Sequence, residues 1–377
     1  VCSPFRAMLL TGRWPYETGV TDNAIPLHDN EITIGKAFQS AGYKTGYIGK
    51  WHLGGNRAEP FGFDTSLLWT GSNTHYNQAM YHPKEGKPVQ PKGYNATLMT
   101  DQALEFMEEN KDEPFFLAVS WNPPHSKFTD APKEKKDLYP DGSLPFRPNY
   151  KDVNHKYEGI FATNGSPYYE GYHAHISAID DELGRVLAYL KENNLEEDTI
   201  VVYSSDHGTM HGSHGFGSKR QPYEESVRIP CIFWGPGHIK TKKDNPSLIG
   251  SIDFMPTLLG LAGIGIPDTC SGRDFSPHLL KEKGPEPDYQ FIMHIAKDNA
   301  SKGNNHPAPI FRGIRTRRYT YAMDEEGTRC IFDNKKDPYQ MENLAGTEEG
   351  GKIEAKLKPF LREALTAAKD PYIKHLK

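Results

Sequence analysis

No run of about eighteen apolar residues occurs in this 377-residue chain, so nothing in it is built to span a bilayer as a helix. Cysteine is scarce. Cys2, Cys231, Cys270 and Cys330 are too few and too scattered for a disulfide framework. Cys231 lies in an apolar, strand-like run and reads as core, while Cys270 and Cys330 stay open as either a pair or two thiols. Basic charge is not in excess. The 44 Lys and Arg against 49 Asp and Glu give a formal net charge of -5, which argues against a nucleic-acid or membrane-surface binder. Repeats and low-complexity tracts are absent too.

What remains is an ordinary globular composition: 36% hydrophobic residues, with 35 glycines and 29 prolines that punctuate many loops. Mean hydropathy is -0.69, in keeping with long polar connections. The length suits one large core, or one core and a small appendage. Strand-like runs (Thr45–Ile48, Phe115–Ser120, Thr199–Ser204, Cys231–Trp234) alternate with helical patterns. One helical face carries Met99, Ala103, Phe106 and Met107, with Asn95 or Thr97 as cap. A longer stripe runs through Tyr172, Ile176, Ile179, Leu183, Val186, Leu187 and Leu190, and a helix around Pro256 spans Ile252–Leu261. This predicts an α/β fold, a mixed and mostly parallel sheet flanked by helices, over residues 1–284. Over 285–377 the texture changes to short strands (Tyr289–Ile295, Phe311–Thr316, Arg318–Met323, Arg329–Asp333) and a closing helix, Ala355–Ala368. A small antiparallel sheet with one helix is the expectation there.

The chemistry begins at the second residue. In Cys2-Ser3-Pro4-Phe5-Arg6, Ser3 is a good helix N-cap and Pro4 a natural first helical residue. Free amides and the positive end of the dipole make that helix start an anion pocket. Arg6, about one turn on, can reach back toward the Cys2 side chain and grip two oxygens of a tetrahedral anion. Farther along, Lys50 and His52 are two apart, so in extended chain both point to the same side. Pro123-Pro124-His125 follows a strand end, where ligand groups gather in open α/β sheets. Asp206 and His207, at the end of another strand, can both reach a cation, and Lys219 follows thirteen residues after Asp206.

Cys-x-Pro-x-Arg with Ser at the second place, followed by Thr11-Gly12-Arg13, resembles the signature of the type I sulfatases of the alkaline-phosphatase superfamily. Gly49-Lys50-Trp51-His52-Leu53-Gly54, Asn122-Pro123-Pro124-His125, Ser205-Asp206-His207-Gly208 and Gly217-Ser218-Lys219 are similar to that family's later landmarks and stand in the same order. The resemblance implies that Cys2 is oxidised to formylglycine, an aldehyde whose hydrate is the nucleophile. It also implies that Lys50 contacts sulfate or the nucleophile, that His52 bonds the hydrate, and that His125 lies near the leaving oxygen. Lys219 would contact sulfate, and Asp206, His207 and residue 2 would ligate one divalent cation, Ca2+ in the family. His214 and His211, in the loop ahead of Lys219, would contact substrate or pack. Asp253-Phe254-Met255-Pro256-Thr257 is similar to a structural helix of the family.

The reaction so implied is hydrolysis of a sulfate monoester, with Arg6, Lys50, Lys219 and the cation gathering charge around the anion. Trp69, His75, Tyr76, Tyr81, His82 and Tyr94, and the Pro- and Tyr-rich segment 122–172, are the kind of residue on which a sugar stacks, or which closes loops. A sulfated glycan is thus the expected substrate, and a formylglycine-generating enzyme the expected maturation partner. The alternatives are a phosphonate monoester or phosphodiester hydrolase of the same superfamily, or a catalytically dead fragment. Family members carry paired aspartates on a strand ahead of the signature. Asp180-Asp181, the Asp-Asp pair here, falls in a helical pattern, so the chain reads as an N-terminally truncated piece of an exported protein, periplasmic, secreted or lysosomal.

Overall fold

The computed structural model describes residues 1–23, 25–71, 75–76, 79–83, 92–152, 165, 167–239, 245–295 and 310–376. The first helix, α1 (Cys2–Thr11), starts earlier than its sequence suggests: Val1 is the N-cap and Cys2 already helical. Ser3 does not cap it. Its hydroxyl donates to the His52 carbonyl, and its N–H is taken by Asn23 Oδ1 at 3.0 Å, because partners across the fold outcompete the local bond. Gly12 ends α1 at φ 64°, returning its N–H to Met8 O at 2.8 Å. A Cβ on Gly12 would lie 2.3 Å from Cys270 Sγ, so the left-handed turn and the close approach both require glycine.

The main sheet has the order β3-β2-β1-β4. Here β1 (Lys44–Lys50) runs parallel to both β2 (Thr65–Gly71) and β4 (Phe115–Ser120), and β3 (Ala79–Pro83) is antiparallel to β2. Side chains alternate across it. Tyr47 joins a core with Ala7 and Leu10 of α1, Phe38 of α2 (Ile34–Ser40) and Met255 of α5 (Phe254–Leu261). Ile48 joins the opposite one, with Met99, Ala103, Phe106 and Met107 of α3 (Asn95–Asn110) and Leu190 of α4 (Tyr168–Glu192). Helices thus cover both faces, and each buried Leu, Ile, Phe or Met side chain among these contributes about 1.5–3 kcal/mol. A two-stranded antiparallel pair, β5 (Val201–Ser204) with β6 (Cys231–Trp234), contributes Val201 and Trp234 to the second core. Among the described residues, no helix is long and apolar enough to cross a membrane.

Two helical expectations change. Tyr94, not Asn95 or Thr97, is the N-cap of α3, and the Thr97 hydroxyl instead donates to Glu182 Oε1 at 2.5 Å. The buried face of α4 is Gly171, Ala174, His175, Ala178, Ile179, Glu182 and Leu190, whereas Ile176 is exposed. Hydropathy misses this face because His175 and Glu182 are buried with polar partners, Tyr94 and Thr97.

The remaining strands, β7 (Tyr289–His294), β8 (Phe311–Thr316), β9 (Tyr319–Asp324) and β10 (Gly327–Asp333), form an antiparallel sheet in the order β10-β9-β8-β7. Helix α6 (Glu348–Ala367) packs Ile353, Leu357, Leu361 and Leu365 against it. It begins before the expected Ala355, capped by the Thr347 hydroxyl, because Gly350 and Gly351 mask its first turn in the sequence. Two ion pairs tie this sheet to the rest. Arg312, fully buried, forks onto Asp370 and also donates to Tyr16 at 3.1 Å. Arg315 forks onto Glu224 at 2.7 and 3.1 Å, close after Lys219 in the chain. All four cysteines are free. Cys270 lies against Gly12 and Cys330 packs with Phe311, Ala322 and Phe332, so that possible pair is two separate thiols. Cys231 is half-buried rather than core.

Candidate active site

The ends of three strands deliver the charged groups to the start of α1. Lys50 is the last residue of β1, His125 follows β4 by five residues, and Asp206 and His207 follow β5 after Ser205. This is the carboxyl-end crevice where open α/β sheets place ligands. Cys2 is only 2% exposed. Its Sγ lies 3.3 Å from His207 Nε2, 3.7 Å from Lys219 Nζ and 3.9 Å from Lys50 Nζ. Burial pushes the thiol up, but Lys219, Lys50 and His207 together outweigh it and hold Cys2 well below the ordinary thiol range. Any anion at this position meets the same concentrated positive charge.

Lys50 is buried, which lowers its pKa. Arg6 does not aim its whole fork at residue 2. One amino group donates to Tyr47 Oη at 3.1 Å, Lys50 O at 2.7 Å and Ser120 Oγ at 2.9 Å, while the other lies 3.7 Å from Asp206 Oδ2. The guanidinium therefore links the ends of β1 and β4 and neutralises Asp206. Burial and Cys2 push the Asp206 carboxyl up, yet His207, Arg6 and Lys50 leave it net below its ordinary value, and so ionised.

His207 Nδ1 lies 2.9 Å from Gly208 O, an acceptor, so the ring proton belongs on Nδ1. The free lone pair on Nε2 faces Cys2 Sγ, Lys219 Nζ at 2.9 Å and Asp206 Oδ1 at 3.3 Å. Donor atoms of Cys2, Asp206 and His207 all lie within 4.8 Å of one another. One carboxylate, one bare imidazole nitrogen and the atom carried by residue 2 fit a single divalent cation.

His125 Nδ1–H donates to Ser126 O, 2.9 Å away, and burial with Lys50 and Lys219 nearby lowers its pKa to about 3. It is neutral at neutral pH. His52 departs from the expected geometry. Its φ of 56° breaks the extended path after Lys50, so Lys50 is buried while the His52 side chain is exposed. His214 stacks on Tyr223 (centroids 4.0 Å, 14° between planes) and bonds Asn149 Nδ2 at 3.0 Å, which is a packed position. His211 is buried among Phe128, Tyr169 and Tyr172 with neither ring nitrogen partnered, and burial lowers its pKa to about 3.

Of the aromatic residues considered for sugar stacking, Trp69, His75 and Tyr94 are buried and close loops or fill the core. The side chains of Tyr81 and His82 lie outside the described residues. The residues that sequence reasoning missed are Tyr47 and Ser120, which orient Arg6. Their only signal was position, on the same strand as Lys50 and at the end of the strand before His125.

The family model described as Sulfatase matches residues 1–264, and that described as N-sulphoglucosamine sulphohydrolase, C-terminal matches residues 212–367. An ulvan-active sulfatase of Formosa agariphila is 35% identical over 386 residues, covering 99% of this chain and 73% of the relative. An N-acetylglucosamine-6-O-sulfatase of Bacteroides thetaiotaomicron is 28% identical over 444 residues, covering 97% and 78%. A solved structure of a sulfatase from Bacteroides fragilis superposes with a TM-score of 0.87 at 29% identity, covering 100% of this chain and 88% of that one.

Proposed function

This chain belongs to the sulfatase family, and from that premise we propose that it removes sulfate from a sulfated carbohydrate using residue 2 as nucleophile. That it is a sulfuric ester hydrolase of the alkaline-phosphatase-like fold follows from the family itself. Membership also implies a divalent cation and a formylglycine at position 2. The carbohydrate rests on the relatives, one acting on ulvan and another on 6-O-sulfated N-acetylglucosamine. One observation carries the site: Lys50, Lys219 and His207 all converge within 3.9 Å of Cys2 Sγ.

Oxidised to formylglycine, residue 2 would supply the hydrate whose one hydroxyl attacks sulfur and whose other then expels sulfate. Asp206, His207 and residue 2 would hold the cation, calcium by family resemblance, and it would lower the pKa of an oxygen beside it. Lys50 and Lys219 would flank the sulfate oxygens and stabilise charge that grows on them and on the departing alcohol. Arg6 would keep the ends of β1 and β4 in register with Asp206. In the free enzyme neutral His125 is an acceptor at its unprotonated nitrogen. An anionic sulfate beside it would raise its pKa and make it a donor to the leaving oxygen. His52 and His214 would act on this site only after rearrangement, His52 as base and His214 as a substrate contact. A formylglycine-generating enzyme is the implied maturation partner.

The test is desulfation of a panel of sulfated mono- and oligosaccharides, with aryl sulfates, phosphate diesters and phosphonate monoesters as comparison. Turnover of sulfated sugars that disappears in Cys2→Ala is expected. Preference for phosphorus esters, or full activity in Cys2→Ala, would overturn the reading.

A further inference from the structure

A second set of metal-ligating side chains shares no residue with the Cys2 cluster. His75 Nδ1 lies 2.7 Å from Asp130 Oδ1, and His175 Nε2 lies 3.4 Å from the same oxygen. Their donor atoms fall within 4.8 Å of one another. Both imidazoles are fully buried, whereas the Asp130 side chain is 21% exposed and gives the cluster its access to solvent. The three come from separate parts of the chain: the segment ahead of α3, the 3-10 turn Phe128–Asp130 that follows His125, and helix α4.

Two of the three side chains are held from behind as ligands need to be. His175 Nδ1 lies 2.8 Å from the Tyr94 hydroxyl, and Asp130 Oδ2 accepts the backbone N–H of His75 at 3.0 Å, while His175 Nε2 also lies 3.3 Å from Lys127 O. A cation would displace the His75 ring proton from Nδ1, where it bonds Asp130 Oδ1, to the buried Nε2, which has no partner. Tetrahedral zinc, with bonds of about 2.0–2.2 Å, spaces its ligands roughly 3.4 Å apart. The His175–Asp130 separation already matches, and the His75–Asp130 pair would open by about 0.7 Å on binding.

We propose that His75, Asp130 and His175 bind a zinc-class divalent cation, completed by water on the exposed side of Asp130, that fastens the turn after His125 to α4. Two imidazoles and one carboxylate select zinc, cobalt or nickel over calcium and magnesium, which favour oxygen. This cation is therefore distinct in chemistry from the one implied beside Cys2.

The test uses the untagged full chain, elemental analysis, and titration of chelator-treated protein with Co2+ followed by its d–d absorption. About one zinc-class ion per chain is expected, with a tetrahedral cobalt spectrum. His207→Ala should keep that spectrum, and Asp130→Asn or His175→Gln should weaken cobalt binding by at least about tenfold. Zinc addition should raise the melting temperature of the wild type and His207→Ala but not of Asp130→Asn. Absence of stoichiometric metal together with no cobalt spectrum in the wild type overturns the proposal without needing any variant. So does a spectrum lost in His207→Ala and kept in Asp130→Asn. Sulfatase turnover, measured in parallel, is a separate readout.

Discussion

Nζ of Lys219 lies 2.9 Å from Nε2 of His207, and both face the Cys2 side chain. The pair brings one mobile cation and one lone pair to the point where a sulfate oxygen would sit. With the proton of His207 committed to Gly208 O, Lys219 is the donor.

Lys219→Ala should therefore lose transition-state charge stabilisation. We expect kcat to fall by about 10²–10³-fold, the range for removing one oxyanion-stabilising donor, with a smaller change in KM. Steady-state kinetics on the best sulfated sugar checks this. An unchanged kcat would remove Lys219 from the reaction.

Arg6→Lys should be far from conservative. A lysine cannot reproduce the three bonds to Tyr47, Lys50 O and Ser120 together with the approach to Asp206. Activity should fall at least about tenfold, since a shift of about 1 Å in the site costs up to about 10². The melting temperature should fall as well, because Lys50 O loses a buried donor.

Acid should destabilise the fold through His211. Its folded-state pKa of about 3 lies below the unfolded value, so between roughly pH 6.5 and 3 the unfolded chain holds a proton that the native one lacks. Stability then falls as pH falls, by up to about 1.4 kcal/mol per pH unit from this group. Urea titrations at pH 7 and pH 5 should show a smaller difference for His211→Phe than for the wild type. The phenylalanine also removes two unpartnered buried nitrogens, so stability at pH 7 should hold or rise.

Asp370→Ala leaves Arg312 charged and buried, and should cost about 3–5 kcal/mol. Replacing both by apolar residues, Arg312→Met with Asp370→Leu, should recover most of the loss in thermal unfolding. A double variant as weak as the single one would contradict this.

What was legible in the sequence was legible for local reasons. Strand runs such as Phe115–Ser120 and Cys231–Trp234 and the apolar face of α3 are visible in residue patterns. A helix start pointed to Cys2, strand ends to Lys50, Asp206 and His207, and the family resemblance to Lys219, and the fold brings these five together. What was not legible depends on distant partners. The turn at His52, the bond from Ser3 to its carbonyl, and the stack of His214 on Tyr223 have no signature in neighbouring residues. Likewise His175 and Glu182 look solvent-facing on hydropathy, and it is Tyr94, Asp130 and Lys127 O for the one, Thr97 and Arg185 for the other, that satisfy them once buried.

The near-total enclosure of Cys2 has a consequence for timing. On the proposed formylglycine route, a modifying enzyme would have to grasp the polypeptide around the thiol, and the first turn of α1, packed beneath Lys50, Lys219 and His207, gives it nothing to grasp. Oxidation on that route would precede the closing of the structure, and a chain that collapsed first would be sealed off from it for as long as it stayed native.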